Sequence, residues 1–289
     1  MIIFFGTSKN SLKFLEAMTK DSFKIGMVIS APPKPIGRKQ IITENPVVAF
    51  AKTHKIPFHT ALSFVPNDFK KNSNNLGLIF DYNRILPKEV IDLFSLGIVN
   101  IHFSKLPQYR GPAPVQATIL NGDTTAWITY MLIDEKIDEG KILTQTSLPL
   151  NLKETSQSLT EKLLEKAIAE TPKIIADFLS GNLQPFQQIG EPSYAGKLEI
   201  ENTKINWQKP AIEIDRLIRA AYPEPGAWTL LRPAEDGTSE GQAKRLKILK
   251  AHLEKEKLIL DEVQLEGKNP VTWQQFLEGY PEFSFPAKV

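Results

Sequence analysis

The sequence predicts an α/β chain. A mostly parallel sheet with flanking helices occupies residues 1–180, and a small all-β domain, barrel or sandwich, occupies residues 205–289. Three observations predict this. Over the first part, short apolar runs alternate with segments of helical periodicity, the signature of βαβ units. Across 181–204 the periodicity fades into prolines, glycines and glutamines, which read as a linker. Short strand-like runs separated by turn residues follow. A length of 289 residues suits two domains. A content of 42% hydrophobic and 24% charged residues is ordinary for a globular protein.

Met1–Phe5 is a short apolar strand closed by Gly6, and Ser8 can cap a helix carrying Leu12, Phe14, Leu15 and Met18. Ile25–Ile29 is a second strand. Ala31–Asn45 reads as a polar loop, and Pro46 suits the first turn of a helix through Lys52. Leu76–Phe80 and Gly97–Ile101 are buried-type strands separated by a helix from Pro87 to Phe94. Pro112 or Pro114 opens the next helix, through Leu120. Ala126–Leu132 and Ile142–Leu148 look like paired strands, and Thr155–Leu179 like a long amphipathic helix. Past the linker come a helix over Pro210–Ala221 and strands at Gly226–Leu231, Leu246–His252, Lys257–Leu260 and Val263–Leu265.

A net charge of +2 implies no large field of one sign, and the absence of cysteine excludes disulfides, a thiol nucleophile and cysteine-ligated metals. The N-terminal apolar run reads as a strand, being too short for a signal peptide. No run reaches the eighteen apolar residues of a membrane span. The expected location is the cytoplasm, with no membrane partner.

Chemistry concentrates in Ile98–Leu143. Asn100 and His102 are two apart in a strand, so they share one face while Val99 and Ile101 take the other. At the carboxyl end of a parallel strand they face the crevice where open α/β sheets bind ligands. The pair equally suits a strand end that satisfies backbone groups. The proline- and glycine-bearing loop Ser104–Pro112 fixes backbone groups in place, for a ligand or for a turn. Asp138 lies in an acidic stretch with Asp134, Glu135 and Glu139, which suits an acid–base partner or a solvated turn. A cation site is disfavoured, because no EF-hand spacing and no second histidine accompany it.

The run Asn100-Ile-His102-Phe-Ser104-Lys-Leu-Pro107, with Tyr109-Arg110-Gly111, Ala113-Pro114, Gln116, Ile119-Leu120-Asn121-Gly122-Asp123 and Asp138-x-Gly140, closely resembles the folate-dependent formyltransferases. The likeness extends over nearly the whole chain. It includes Phe5-Gly6-Thr7, Pro33-x-Pro35-x-Gly37-Arg38, Ile85-Leu86-Pro87, Tyr194-Ala195-x-Lys197, Ile205-x-Trp207, Asp215-x-x-Ile218-Arg219-Ala220 and Pro225-Gly226-Ala227. The discriminating motif is Val263-Gln264-x-Glu266-Gly267-Lys268 with Phe276-x-x-Gly279, which is similar to the branch acting on methionyl-tRNA.

The resemblance implies a Rossmann-like N-terminal domain, an OB-like C-terminal barrel and a monomer. It also implies an enzyme that moves a formyl group from 10-formyltetrahydrofolate, its co-substrate, to the α-amino group of methionyl-initiator tRNA. Asn100 would donate to the developing oxyanion. His102 would pass a proton from amine to folate N10, and Asp138 would hold the imidazole or a water beside it. Ser104, Lys105, Leu106 and Pro107 would hold the folate, largely through backbone groups, and no metal is needed. Arg38 and Lys39, together with Lys244, Arg245 and Lys247, would meet the tRNA, although Lys244–Lys250 equally suits a solvated strand edge.

This sequence departs from the family at Lys105, usually aliphatic, and at Gln108, usually basic. Asp81 and Asn83 also depart: Asn83 stands where a glycine is usual, and Asp81 adds a carboxylate within reach of the pterin edge. Residues 205–289 carry 12 basic and 13 acidic side chains, so RNA contact would rest on local patterning. Two other readings are a nucleotide-sugar N-formyltransferase and a non-catalytic RNA-binding protein on the same scaffold. The C-terminal motif argues against the first, and the intact Asn100, His102 and Asp138 against the second.

Overall fold

The computed structural model describes residues 1–20, 23–36, 40–60, 74–233, 243–281 and 283–284. The chain divides into two compact units. The first comprises Met1–Gly111, Trp127–Leu148 and Lys162–Tyr194, and the second comprises Pro112–Ala126, Pro149–Glu161 and Ala195–Val289.

The first unit is built on a seven-stranded sheet. In chain order its strands and helices are β1 (Ile2–Phe5), α1 (Lys9–Lys20), β2 (Ile25–Ile29), the hairpin β3 (Lys34–Ile36) and β4 (Ile41–Thr43), α2 (Pro46–Thr53) and β5 (Phe58–His59). There follow β6 (Leu76–Ile79), α3 (Lys88–Ile91) and β7 (Ile98–His102). After α4 (Pro114–Asn121), which falls in the second unit, come β8 (Thr125–Leu132), β9 (Ile142–Pro149) and α5 (Ser156–Leu179). The sheet order is β5-β2-β1-β6-β7-β8-β9, with β5, β2, β1, β6 and β7 mutually parallel and β8 antiparallel to β7. The chain runs outward to β2 on one side of β1 and to β6 and β7 on the other. The order therefore reverses between β1 and β6, and the crevice beyond their carboxyl ends is where such sheets take ligands.

A parallel sheet covered on both faces needs strands apolar throughout, and Ile3, Phe4 and Phe5 are all fully buried. On one face Phe14 of α1 stacks on Phe4 and Phe80, with centroids 5.9 and 4.8 Å apart. The other face packs Phe5, Ile29, Ile79, Leu86 and Phe94. Helix α2 begins as its sequence predicts, with Pro46 in the first turn and the Asn45 side chain accepting from the Val47 N–H at 2.9 Å.

The second unit holds α4, α6 (Ala211–Ala221), β10 (Ala227–Pro233), β11 (Lys244–Glu254), β12 (Lys257–Leu265), β13 (Val271–Thr272), α7 (Trp273–Gly279) and β14 (Phe283–Ser284). Its sheet is antiparallel, in the order β13-β12-β11-β10-β14. Its core joins Ile214 and Ile218 of α6 to Leu246, Ile248, Leu260 and Val263. Asp215 and Arg219, four apart on α6, form a buried ion pair at 2.8 Å, and Arg219 also donates to the Glu154 carbonyl at 3.0 Å. Among the described residues no helix is long and apolar enough to cross a membrane.

The structure corrects several expectations. Residues 31–45 contain the β3–β4 hairpin rather than a plain loop. Its three-residue strands include Pro35 and leave Ile41 and Ile42 exposed, so no buried alternation betrayed them. The helix expected from Pro87 to Phe94 is only Lys88–Ile91. The two runs Lys257–Leu260 and Val263–Leu265 are one strand. Its inward phase changes between Leu260 and Val263, beside irregular pairing at Ile248–Ala251, and that shift broke the alternation.

Candidate active site

Strand β7 places Asn100 and His102 on one face, because Val99 and Ile101 are drawn into the core on the other. The Asn100 amide has no protein partner among the described residues. The His102 Nε2 lies 2.9 Å from the Tyr109 carbonyl oxygen. A carbonyl only accepts, so Nε2 carries the proton and Nδ1 is the nitrogen left to gain or lose one. Nδ1 faces the Asp138 carboxylate at 3.7 Å. That carboxylate accepts from the Gly111 N–H at 2.8 Å. The structure thus brings His102 and Asp138 together across thirty-six residues of sequence.

Tyr109 and Asp138 both have left-handed backbones, with φ of 58° and 54°. That conformation costs a non-glycine residue about 1–2 kcal/mol, and specific bonds hold it at Asp138. Gln188 donates through Nε2 to the Asp138 and Gly140 carbonyls at 2.8 and 3.0 Å. Its Oε1 accepts from Arg110 Nη2 at 2.8 Å and Nε at 3.3 Å, while Arg110 Nη1 pairs with Glu139 at 3.0 Å. The same turn packs so closely that a Cβ on Gly140 would collide with the Leu132 carbonyl. The sequence reading did not single out Gln188. It sits in the stretch read as linker, where no periodicity or motif marks it.

The Ser104–Pro107 run has most of its polar groups committed within the protein. The Ser104 hydroxyl donates to the Gln108 carbonyl at 2.6 Å. Thr129, opposite His102 on β8, donates to the Ser104 carbonyl at 2.6 Å and accepts from the Leu106 N–H at 3.3 Å. Gln145 donates to the Leu106 carbonyl at 3.0 Å, and Ser193 N–H donates to the Pro107 carbonyl at 3.2 Å. Leu106 is buried against Met131 and Ile142. Lys105 lays its ammonium over the Trp127 ring, 4.5 Å from the centroid. All four carbonyls of the run, that of Lys105 taken by the Gln108 N–H at 2.9 Å, are thus bonded within the protein.

At the carboxyl ends of β1 and β6, the Ser8 hydroxyl accepts from the N–H groups of Asn10 and Ser11, both at 3.0 Å, and donates to the Asp81 carboxylate. Asp81 therefore sits at the positive end of α1, with one carboxylate oxygen held by Ser8. It is Asp81, with φ 52°, and not Asn83 that takes the left-handed conformation. The Tyr82 hydroxyl and the Thr7 hydroxyl are buried and lack hydrogen-bond partners among the described residues. Burial pushes the Tyr82 phenol above its ordinary pKa.

In the second unit, Lys244, Arg245 and Lys247 lie along β11. The Arg245 guanidinium covers the Trp228 ring, 4.4 Å from its centroid, and Lys250 is paired with Glu262 at 2.6 Å. Arg38 and Lys39 lie outside the described residues. Among the described residues no cluster of three His, Cys, Asp or Glu side chains stands ready for a metal ion.

Residues 1–175 match the family described as formyl transferase, and residues 197–258 match its C-terminal domain. A relative from Thermodesulfovibrio yellowstonii, named methionyl-tRNA formyltransferase, is 32% identical over 296 residues, covering 96% of this chain and 95% of that one. Two solved structures share the fold at 22% identity. One is an N-formyltransferase from Helicobacter canadensis, in complex with folinic acid and dTDP-3-aminofucose; its TM-score is 0.67, over 94% of this chain and 98% of that one. The other is a methionyl-tRNA formyltransferase from Clostridium thermocellum, with a TM-score of 0.62 over 92% of this chain and 98% of that one. These matches, over most of its length, lead to one conclusion: the chain belongs to the formyltransferase family.

Proposed function

We propose that this protein transfers the formyl group of 10-formyltetrahydrofolate to the α-amino group of methionyl-initiator tRNA, the modification that prepares it for translation initiation. The observation that carries the chemistry is the juxtaposition of Asn100, His102 and Asp138 at the end of β7. The neutral amine attacks the formyl carbon, a tetrahedral oxyanion forms, and the bond to folate N10 breaks as that nitrogen takes up a proton. The Asn100 amide donates to the oxyanion; one such donor contributes about 10²–10³ in rate. His102 takes the amine proton at Nδ1, because Nε2 is held by Tyr109, and delivers it towards N10. Asp138, 3.7 Å from Nδ1, balances the charge that the ring then carries. The Ser104–Pro107 wall, with Lys105 folded onto Trp127, shapes the folate site.

The acceptor assignment rests on the relatives' names, the C-terminal sequence motif and the cationic side chains of β11. We read the antiparallel sheet of the second unit as an OB-like platform with Lys244, Arg245 and Lys247 facing RNA, joined by Arg38 and Lys39 of the early loop. The resemblance to a sugar N-formyltransferase structure keeps a nucleotide-linked amino sugar as the second reading. A competition decides between them: the protein is given 10-formyltetrahydrofolate with equal concentrations of methionyl-initiator tRNA and a dTDP-amino sugar. Formyl-methionine as the dominant product supports the proposal, and formylated sugar alone overturns it.

A further inference from the structure

We propose that residues 186–194 form a strap that sets the spacing between His102 and Asp138, with Gln188 as its positioning residue. The inference rests on the reading that these two side chains act in formyl transfer.

The strap is anchored at both ends by backbone pairing. Phe186 exchanges two hydrogen bonds with Ile142, the first residue of β9, at 2.8 and 2.9 Å. At the other end Ser193 accepts from the Arg110 N–H at 2.8 Å and donates to the Pro107 carbonyl at 3.2 Å. Each anchor lies beside one half of the acid–base pair. The Ile142 anchor adjoins the turn that carries Asp138. The Ser193 anchor holds the Tyr109 peptide a second way, its hydroxyl accepting from the Tyr109 N–H at 2.9 Å, and the carbonyl of Tyr109 holds His102 Nε2.

Between the anchors Gln188 has its whole amide committed: two donations to the Asp138 and Gly140 carbonyls and acceptance from Arg110. An amide suits this place because it donates on one side and accepts on the other. A carboxylate would keep Arg110 but set lone pairs against two carbonyls. A thioether would fill the volume and make none of these bonds. Without the bond to its own carbonyl, the left-handed Asp138 relaxes, and its carboxylate leaves the Gly111 N–H and the His102 ring.

The test uses Gln188→Met and Gln188→Glu in the full chain, each also combined with Asp138→Asn. A displacement near 1 Å lowers rate by about 10²-fold, so each single variant is expected to lose at least about tenfold in kcat, with the KM for folate nearly unchanged. In the Asp138→Asn background the same change should cost less than about threefold, because the carboxylate it positions is already gone. Equal losses in both backgrounds would mean that Gln188 is merely structural, overturning the proposal. Near-wild-type activity of Asp138→Asn itself would instead sink the underlying reading. A readout independent of catalysis is amide exchange at Gly111. Gln188→Met should accelerate it at least about tenfold while β1 amides keep their protection; unchanged exchange at Gly111 overturns the strap whatever the activity shows.

Discussion

Gly140→Ala tests how tightly the Asp138 turn must pack. A methyl carbon built on Gly140 collides with the Leu132 carbonyl oxygen and lies 2.9 Å from its carbonyl carbon. Carbon atoms in contact prefer about 3.5–4.0 Å, so the turn must retreat by at least about 0.6 Å on the carbon contact alone. No side-chain rotation relieves this, because both obstructing atoms are backbone, and the Leu132 N–H is itself held by the Lys141 carbonyl at 2.8 Å. The movement therefore falls on Asp138 and its 2.8 Å bond to the Gly111 N–H. Misplacement by about 1 Å costs roughly 10²-fold, or about 2.7 kcal/mol of transition-state stabilisation. A retreat of 0.6 Å or more thus predicts a kcat at least about tenfold down. Two hydrogen bonds are at risk, Leu132 to Lys141 and Gln188 to Gly140, so stability should fall by about 2 kcal/mol. The assay is steady-state formylation with both substrates varied, run well below an unfolding midpoint measured on the same sample. A folded variant whose kcat stays within about threefold of wild type refutes the claim that Asp138 must be held in place.

His102→Ala should lower turnover by at least about 10² while leaving the folate dissociation constant nearly intact, as read by equilibrium titration beside single-turnover rates; turnover within a fewfold of wild type removes His102 from the mechanism. Arg219→Met strands the buried Asp215 carboxylate and should cost about 3–5 kcal/mol in denaturant unfolding; a loss below about 1 kcal/mol contradicts that account. Burial also raises the Tyr130 phenol above its ordinary pKa. The folded group then keeps its proton where the unfolded one releases it, so the stability it contributes is present below about pH 10 and falls as pH rises beyond that. Urea unfolding at pH 9 and 11 should show this loss, and Tyr130→Phe should flatten it. Changing Arg245 and Lys247 together to Gln should raise the KM for tRNA more than that for folate and shallow its salt dependence by about two; equal effects on both substrates would make these residues structural.

Much of the first unit was legible because a parallel sheet buried on both faces writes itself as apolar runs. Ile25–Ile29 is read to the residue, and the same logic sets Asn100 and His102 on one face of β7 against Val99 and Ile101. Asp138 is legible by its chemistry, but its left-handed backbone is not, since nothing in Ile-Asp-Glu-Gly fixes φ. What escaped depends on distant partners. The β3–β4 hairpin has no core-facing alternation, and α7 is a seven-residue helix between two-residue strands. Gln188 gains its meaning only from partners far off in sequence: Arg110, seventy-eight residues away, and the Asp138 and Gly140 carbonyls. Asp81 shows the converse. Its charge suggests a ligand contact, and the sequence does not reveal that Ser8, at the amino end of α1, bonds its carboxylate.

The most direct test is to incubate the purified protein with 10-formyltetrahydrofolate and methionyl-initiator tRNA, with His102→Ala alongside, and to analyse the aminoacyl group by mass spectrometry. Formyl-methionine from the wild type and its near absence from the variant establish donor, acceptor and proton-carrying residue together. Unmodified methionine from wild-type protein shown to be folded and to bind folate contradicts the proposed function.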